Sequence, residues 1–307
     1  MPNNPAMKGV LSPVVTPFDA NLAPDAGRLV KHCKWLIDNN VGLAVFGTNS
    51  EANSMSTREK LRLLDALAES GLPTERMMPG TGACALDDSV ELTKRAVELG
   101  CGGVLMLPPF YYKGVPEEGL YRNFSEIIQR VGDDRLRIYL YHIPPVAQVG
   151  IPLGLIERLL KDYPGIVAGA KDSSGDWSNT KAMIDNFAAQ GFDVYPGSES
   201  FLLQAMRAGG AGCISATANV NPGPIAKLAA TWQGDDADAQ QEGLNVTRGI
   251  FQTYVMIPAL KAAIAHYGRD PEWNRLRPPL VELTADEQKD LVAKLDASGF
   301  TMPGLAA

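Results

Sequence analysis

Ile166-Val167-Ala168-Gly169-Ala170-Lys171 is a short apolar run that ends in an amine, and the turn Asp172-Ser173-Ser174-Gly175 follows at once. Thirty residues upstream, Arg137-Ile138-Tyr139-Leu140-Tyr141 ends in a phenol. Runs of this length bounded by turn residues read as buried strands. Simple alternation puts Val167, Gly169 and Lys171 on one face and Ile166, Ala168 and Ala170 on the other, with Gly169 leaving space beneath the lysine stem. Burial of an amine favours its neutral, nucleophilic form, and a phenol beside it can carry the protons such an amine needs. The pairing points to Schiff-base chemistry on a carbonyl substrate. Taken alone, a lysine at a strand end reads as a snorkelling surface residue, so the rest of the chain has to decide.

Outward from this stretch, short apolar runs alternate with longer helical patterns. The strands are predicted at 9–16, 42–46, 77–80, 103–107, 137–141, 166–171, 193–196 and 212–215. Helices are predicted at 25–39, 57–70, 87–99, 117–131, 152–162, 179–190, 199–208 and 222–232. Thr57 gives a Thr-x-x-Lys helix start without a full capping box, and Asp87-Asp88 puts negative charge in a first turn, where it is favoured. Eight strand–helix units over residues 1–234 predict an α/β fold, a (β/α)8 TIM barrel carrying the active site, rather than a doubly wound open sheet. Residues 235–307 read as a helical extension packed on the barrel, helical over 239–268 and 284–298, with Pro258 starting or kinking a helix.

Bulk composition narrows the function classes. The 307 residues are 45% hydrophobic and 21% charged, ordinary values for a globular protein. A net charge of −7 argues against a nucleic acid or an anionic membrane as partner. The N-terminus, Met1 to Lys8, lacks the pattern of a signal peptide, and no apolar run is long enough to span a bilayer. Cys33, Cys84, Cys101 and Cys213 are widely spaced and read as packed free thiols in a reducing cytoplasm. His32, His142 and His266 form no ligand spacing, so no metal is expected. Gly80-Thr81-Gly82-Ala83-Cys84-Ala85 imitates a dinucleotide fingerprint, but Asp87 and Asp88 stand where pyrophosphate would bind. No nucleotide cofactor is expected.

In a barrel of this kind catalytic groups sit at the C-terminal strand ends. Those ends carry Gly47-Thr48-Asn49-Ser50-Glu51, then Phe110-Tyr111-Tyr112, then Tyr141-His142-Ile143-Pro144, then Lys171, then Gly197-Ser198-Glu199, then Ser215-Ala216-Thr217. Each has an ordinary explanation. Thr48, Asn49 and Ser50 suit a polar loop or cap, Tyr111 and Tyr112 an interface, Glu51 a loop-fixing role and Glu199 a helix start. Their coincidence at one end of successive strands makes them candidates together.

These motifs resemble the dihydrodipicolinate synthase / N-acetylneuraminate lyase family of class I aldolases, from Gly9 to about Gly299. Gly47-Thr48-Asn49-Ser50-Glu51 is similar to the family's G-[ST]-[TS]-G-E loop, Tyr141-His142-Ile143-Pro144 to Y-x-x-P, and Gly169-Ala170-Lys171-Asp172 to G-x-K-[DE]. Gly212 through Asn219 also fits. The resemblance implies a barrel with a C-terminal helical part, commonly a homo-oligomer built as a dimer of dimers. It implies a 2-oxo acid such as pyruvate, bound covalently without metal. By resemblance Lys171 forms the imine and Tyr141 shuttles protons. Thr48 links Tyr141 to Tyr112, the latter donated across a dimer interface, while Gly47, Thr48 and Asn49, with Gly197 and Ser215, line the substrate side.

Two departures bear on substrate. Synthases of the lysine pathway carry an arginine five positions after the Y-x-x-P tyrosine, where this chain has Val146, and a valine cannot replace a bidentate guanidinium. Asn49 and Ser50 replace the usual Thr or Ser and Gly. The expectation is a class I lyase, aldolase or dehydratase acting on a 2-oxo acid through Lys171. The alternatives are a dihydrodipicolinate synthase condensing pyruvate with aspartate semialdehyde and, in another class, a non-catalytic 2-oxo acid binding protein.

Overall fold

A computed structural model describes residues 7–306; most of the N-terminal stretch read for targeting signals lies outside them. The elements in chain order are β1 (Gly9–Ser12), α1 (Ala26–Asp38), β2 (Gly42–Leu43), α2 (Thr57–Glu69), α3 (Leu86–Glu98) and β3 (Val104–Met106). Then come α4 (Glu117–Val131), β4 (Ile138–His142), α5 (Pro144–Ala147), α6 (Leu153–Asp162), β5 (Val167–Asp172), α7 (Trp177–Phe187) and β6 (Asp193–Pro196). The series ends with α8 (Leu202–Ala208), β7 (Gly212–Ile214), α9 (Pro222–Thr231), α10 (Ala237–Gln252), α11 (Met256–Tyr267) and α12 (Ala285–Ala297). The chain divides into two compact units. Among the described residues, one comprises 7–9 with Pro73–Ile214, the other Val10–Leu72 with residues 215–306.

The first unit is built on a parallel sheet in the order β3-β4-β5-β6. The strand predicted over 77–80 shrinks to a bridge between Gly80 and Leu105, held by Leu105 N–H to Pro79 O and Thr81 N–H to Leu105 O. Helices pack on this sheet through apolar positions at helical spacing, such as Leu120, Phe124, Ile127 and Ile128 of α4 and Leu155, Ile156 and Leu159 of α6. Each fully buried side chain of this kind contributes about 1.5–3 kcal/mol. The register pairs Tyr139 with Gly169, Leu140 with Ala170, Tyr141 with Lys171 and His142 with Asp172.

The simple alternation in β5 needs a correction. Ile138 pairs with Val167 and its neighbour Tyr139 with Gly169, so Ala168 is an extra residue in a bulge. Gly169 and Lys171 share a face, and Val167 does not join them. Nor is the space at Gly169 left for the lysine stem. A Cβ there would stand 2.3 Å from Asp193 O and 2.7 Å from the Tyr139 ring, so the glycine lets Tyr139 pack closely against β5.

In the second unit β1 pairs with β2 in parallel, Leu11 opposite Gly42 and Ser12 opposite Leu43. The start of α2 also differs from expectation. Ser56, one residue earlier than Thr57, is the cap, and Glu59 reciprocates in a full capping box. The helical pattern after 239 breaks between α10 and α11, and Pro258 sits in the first turn of α11, where its missing N–H leaves no bond unmade. Helix α11 is apolar on nearly every side, with Pro258 through Ala265 all buried.

Of the four thiols, Cys33 and Cys213 are buried as expected, whereas Cys84 is exposed because it lies in the loop before α3, off the apolar face of that helix. Among the described residues no helix is long and apolar enough to cross a membrane.

Candidate active site

In the first unit, the paired register of β4 and β5 carries Tyr141 and Lys171 to neighbouring strand ends on one face. Lys171 Nζ donates to Tyr141 Oη at 3.2 Å, with both residues 2% exposed. The same nitrogen also lies 4.3 Å from the centre of the tyrosine ring. An amine and a phenol in hydrogen-bond contact, shielded from water, form a nucleophile with an adjacent proton carrier.

The strand ends are locked from the opposite face. The Asp172 carboxylate accepts from Thr180 Oγ1 at 2.6 Å, Ser174 N–H at 2.9 Å and Asn179 Nδ2 at 3.1 Å, tying β5 to the start of α7. His142 Nδ1 accepts from Ile151 N–H at 2.8 Å, and burial lowers the pKa of its imidazole, favouring the neutral ring with its proton on Nε2. The ladder continues past the strands through Ser173 N–H to His142 O and Gly197 N–H to Asp172 O. A Cβ on Gly197 would fall 2.0 Å from Ser173 Oγ, so only glycine fits there. The anchoring role of Asp172, and Thr180 and Asn179 as its partners, escaped the sequence reading. The Lys-Asp pair was visible, but its partners lie a helix start away.

Tyr112 is 73% exposed and meets Tyr111 edge to face, with ring centres 5.3 Å apart. Val146 is 61% exposed on α5, whose end is tied down by Lys113 Nζ donating to Ala147 O at 2.8 Å.

In the second unit Gly47, Thr48 and Asn49 lie together in one tight turn, with Thr48–Ser50 in a single 3-10 turn. Ser50 Oγ accepts from Gly47 N–H at 3.1 Å, and Glu51 N–H closes on Thr48 O at 3.2 Å. Glu51 adopts a left-handed backbone, φ 55°, and is buried. Its Oε1 accepts from Lys261 Nζ at 2.9 Å and its Oε2 from Arg277 N–H at 2.9 Å, so the loop-fixing role read for Glu51 is what its contacts provide. Ser215 is buried just after β7, and its Oγ accepts from Arg248 at 3.2 Å. Lys261 was missed, although a single lysine inside Leu260-Lys261-Ala262-Ala263-Ile264 was a legible signal.

The model of the dihydrodipicolinate synthetase family matches residues 6–298. The chain belongs to this family. An uncharacterized DapA-like lyase of Chloroflexus aurantiacus is 34% identical, over 91% of this chain and 93% of its own length. The 4-hydroxy-tetrahydrodipicolinate synthase of Methanococcoides burtonii is 32% identical, over 95% and 98%. The crystal structure of dihydrodipicolinate synthase from Agrobacterium tumefaciens superposes with a TM-score of 0.87 at 27% identity, covering 94% of this chain and 98% of that one. The fold class is that family's α/β barrel with a C-terminal helical extension, and the chain is a lyase of the class I aldolase type.

Proposed function

We propose that Lys171 forms an imine with the ketone of a 2-oxo acid, pyruvate or a longer homologue, and that Tyr141 moves the protons. The observation that carries this is the buried 3.2 Å contact between Lys171 Nζ and Tyr141 Oη. The neutral amine attacks C2, two protons reach the ketone oxygen, and that oxygen leaves as water while the C=N bond forms. The iminium then accepts the electron pair of a breaking bond at C3, either C–H or C–C, to give an enamine. Run in reverse, the enamine attacks an aldehyde. Tyr141 is the group within reach to supply and recover protons at the nitrogen and at the departing oxygen.

In this reading Thr48 and Tyr112 complete the proton relay, Gly47 and Asn49 hold the carboxylate with Thr48, and Gly197 and Ser215 line the substrate side. The support is the match of their motifs to the family. Neither metal nor nucleotide is required, because the iminium is itself the electron sink. A cytoplasmic homo-oligomer, a dimer of dimers, belongs to the same proposal, supported by family membership and by the exposed Tyr111–Tyr112 pair.

The curated relatives named as synthases favour a second reading, condensation of pyruvate with aspartate semialdehyde. Val146 speaks against it, since an exposed isopropyl group offers nothing to a second carboxylate. Nothing favours a non-catalytic binding role. Borohydride reduction in the presence of pyruvate, followed by peptide mass spectrometry, tests the proposal. A stable adduct on the Lys171 peptide is expected, and an unmodified Lys171 under saturating 2-oxo acid refutes it.

A further inference from the structure

Lys261 and Glu51 form an ion pair in which both side chains are wholly buried. A pair like this is a poor way to stabilise a fold, because the desolvation of two charges roughly cancels their attraction and apolar residues of the same volume often do better. Its value lies in geometry. Besides Glu51, Lys261 Nζ donates to Thr16 O at 2.9 Å. Thr16 Oγ1 in turn donates to Ser50 O at 2.7 Å. One ammonium group on α11 therefore holds the Gly47–Ser50 turn from two sides, through the carboxylate that follows it and through the backbone beneath it. Phe18 shields the arrangement, with Lys261 Nζ 4.7 Å and the Arg277 guanidinium 4.8 Å from its ring centre. Arg277 adds a bond from its N–H to Glu51 and a 2.7 Å bond from its guanidinium to Ser54 O, closing the far end of the loop. The left-handed backbone of Glu51, unfavourable for a residue with a side chain, persists because these partners hold it.

We infer that Lys261 is a positioning residue for substrate carboxylate binding: by fixing Glu51 and Thr16 it sets the direction of the Thr48 and Asn49 N–H and side-chain donors. The inference rests on the reading that this turn grips the 2-oxo acid carboxylate. Donors held rigid before substrate arrives need no reorganisation on binding, and a displacement of about 1 Å is enough to forfeit much of their effect.

The test compares two ketones, pyruvate and acetone, in borohydride trapping on Lys171. In Lys261→Met the concentration of pyruvate giving half-maximal trapping rises at least tenfold, while the trapping rate with acetone, which has no carboxylate, changes less than twofold. Thr16→Val, which cuts the bond to Ser50 without stranding a buried charge, gives the same selectivity at several-fold and covers the case in which Lys261→Met folds poorly. An equal loss on both ketones, or no loss on either, in a folded variant overturns the inference while leaving the imine proposal intact. A wild-type enzyme that traps neither ketone removes the imine proposal and this inference together.

Discussion

Lys171 Nζ and Tyr141 Oη stand 3.2 Å apart on adjacent parallel strands, each 2% exposed, and the register that pairs the two residues continues into His142 and Asp172. Contact between the amine and the phenol is thus a property of the sheet, not of a mobile loop. Strand-borne groups hold their geometry better than loop-borne ones. Asp172, with three donors around its carboxylate, anchors the strand from behind.

Replacing Lys171 with methionine keeps the volume and removes the amine. Activity on any 2-oxo acid falls to background and borohydride trapping disappears. Thermal stability does not fall, and rises by about 1 kcal/mol, because a polar group buried for function is gone. A Lys171→Met enzyme that retains measurable turnover defeats the imine mechanism.

Tyr141→Phe keeps the ring and deletes the hydroxyl proposed to carry the proton. Removing a general acid–base group costs roughly 10²- to 10⁴-fold, so kcat drops within that range. Trapping on Lys171 still occurs, but slowly. Single-turnover kinetics separate the steps, and an unchanged kcat excludes Tyr141 from proton transfer.

Lys261→Met leaves Glu51 charged and unpaired in the interior. Breaking a buried pair from one side costs about 3–5 kcal/mol, read as a lower urea midpoint. The double variant Glu51→Gln/Lys261→Met recovers most of the loss, since no uncompensated charge remains. Equal destabilisation in the single and double variants would show that packing, not charge, is what Lys261 contributes.

His32 is fully buried between Trp35 and Trp273, with ring centres 5.6 and 5.1 Å away. Burial lowers its pKa from 6.5 to about 4. The unfolded chain takes up this proton near pH 6.5 and the folded chain resists it until about pH 4. Stability from this residue is therefore complete above that window and is lost as the pH falls through it. The loss amounts to roughly 3 kcal/mol at the bottom. His32→Leu flattens the acid limb of a denaturation-versus-pH curve, and an unchanged limb assigns acid lability elsewhere.

Val146→Arg restores a guanidinium where the pathway synthases carry one. If the partner end of the site lies there, kcat/KM for condensing pyruvate with aspartate semialdehyde rises about tenfold, the size of one charge-assisted hydrogen bond. A coupled assay reads it. High activity already present in the unsubstituted enzyme would instead favour the synthase reading.

The alternation of strand and helix, the ends of most helices and the placement of Lys171 and Tyr141 at strand termini were all legible in the sequence, because each depends on residues a few positions apart. Spacing of apolar side chains, a turn after Lys171 and a helix pattern between strands are local facts. The bulge at Ala168 was not legible, since a register shift is set by the partner strand and not by the run itself. Only the tertiary structure joined Lys261 to Glu51, 210 positions apart, and closed Trp35 and Trp273 around His32. A charge in an apolar helix announces that it needs a partner, but which partner is decided by how α11 packs, and packing is a property of the folded chain.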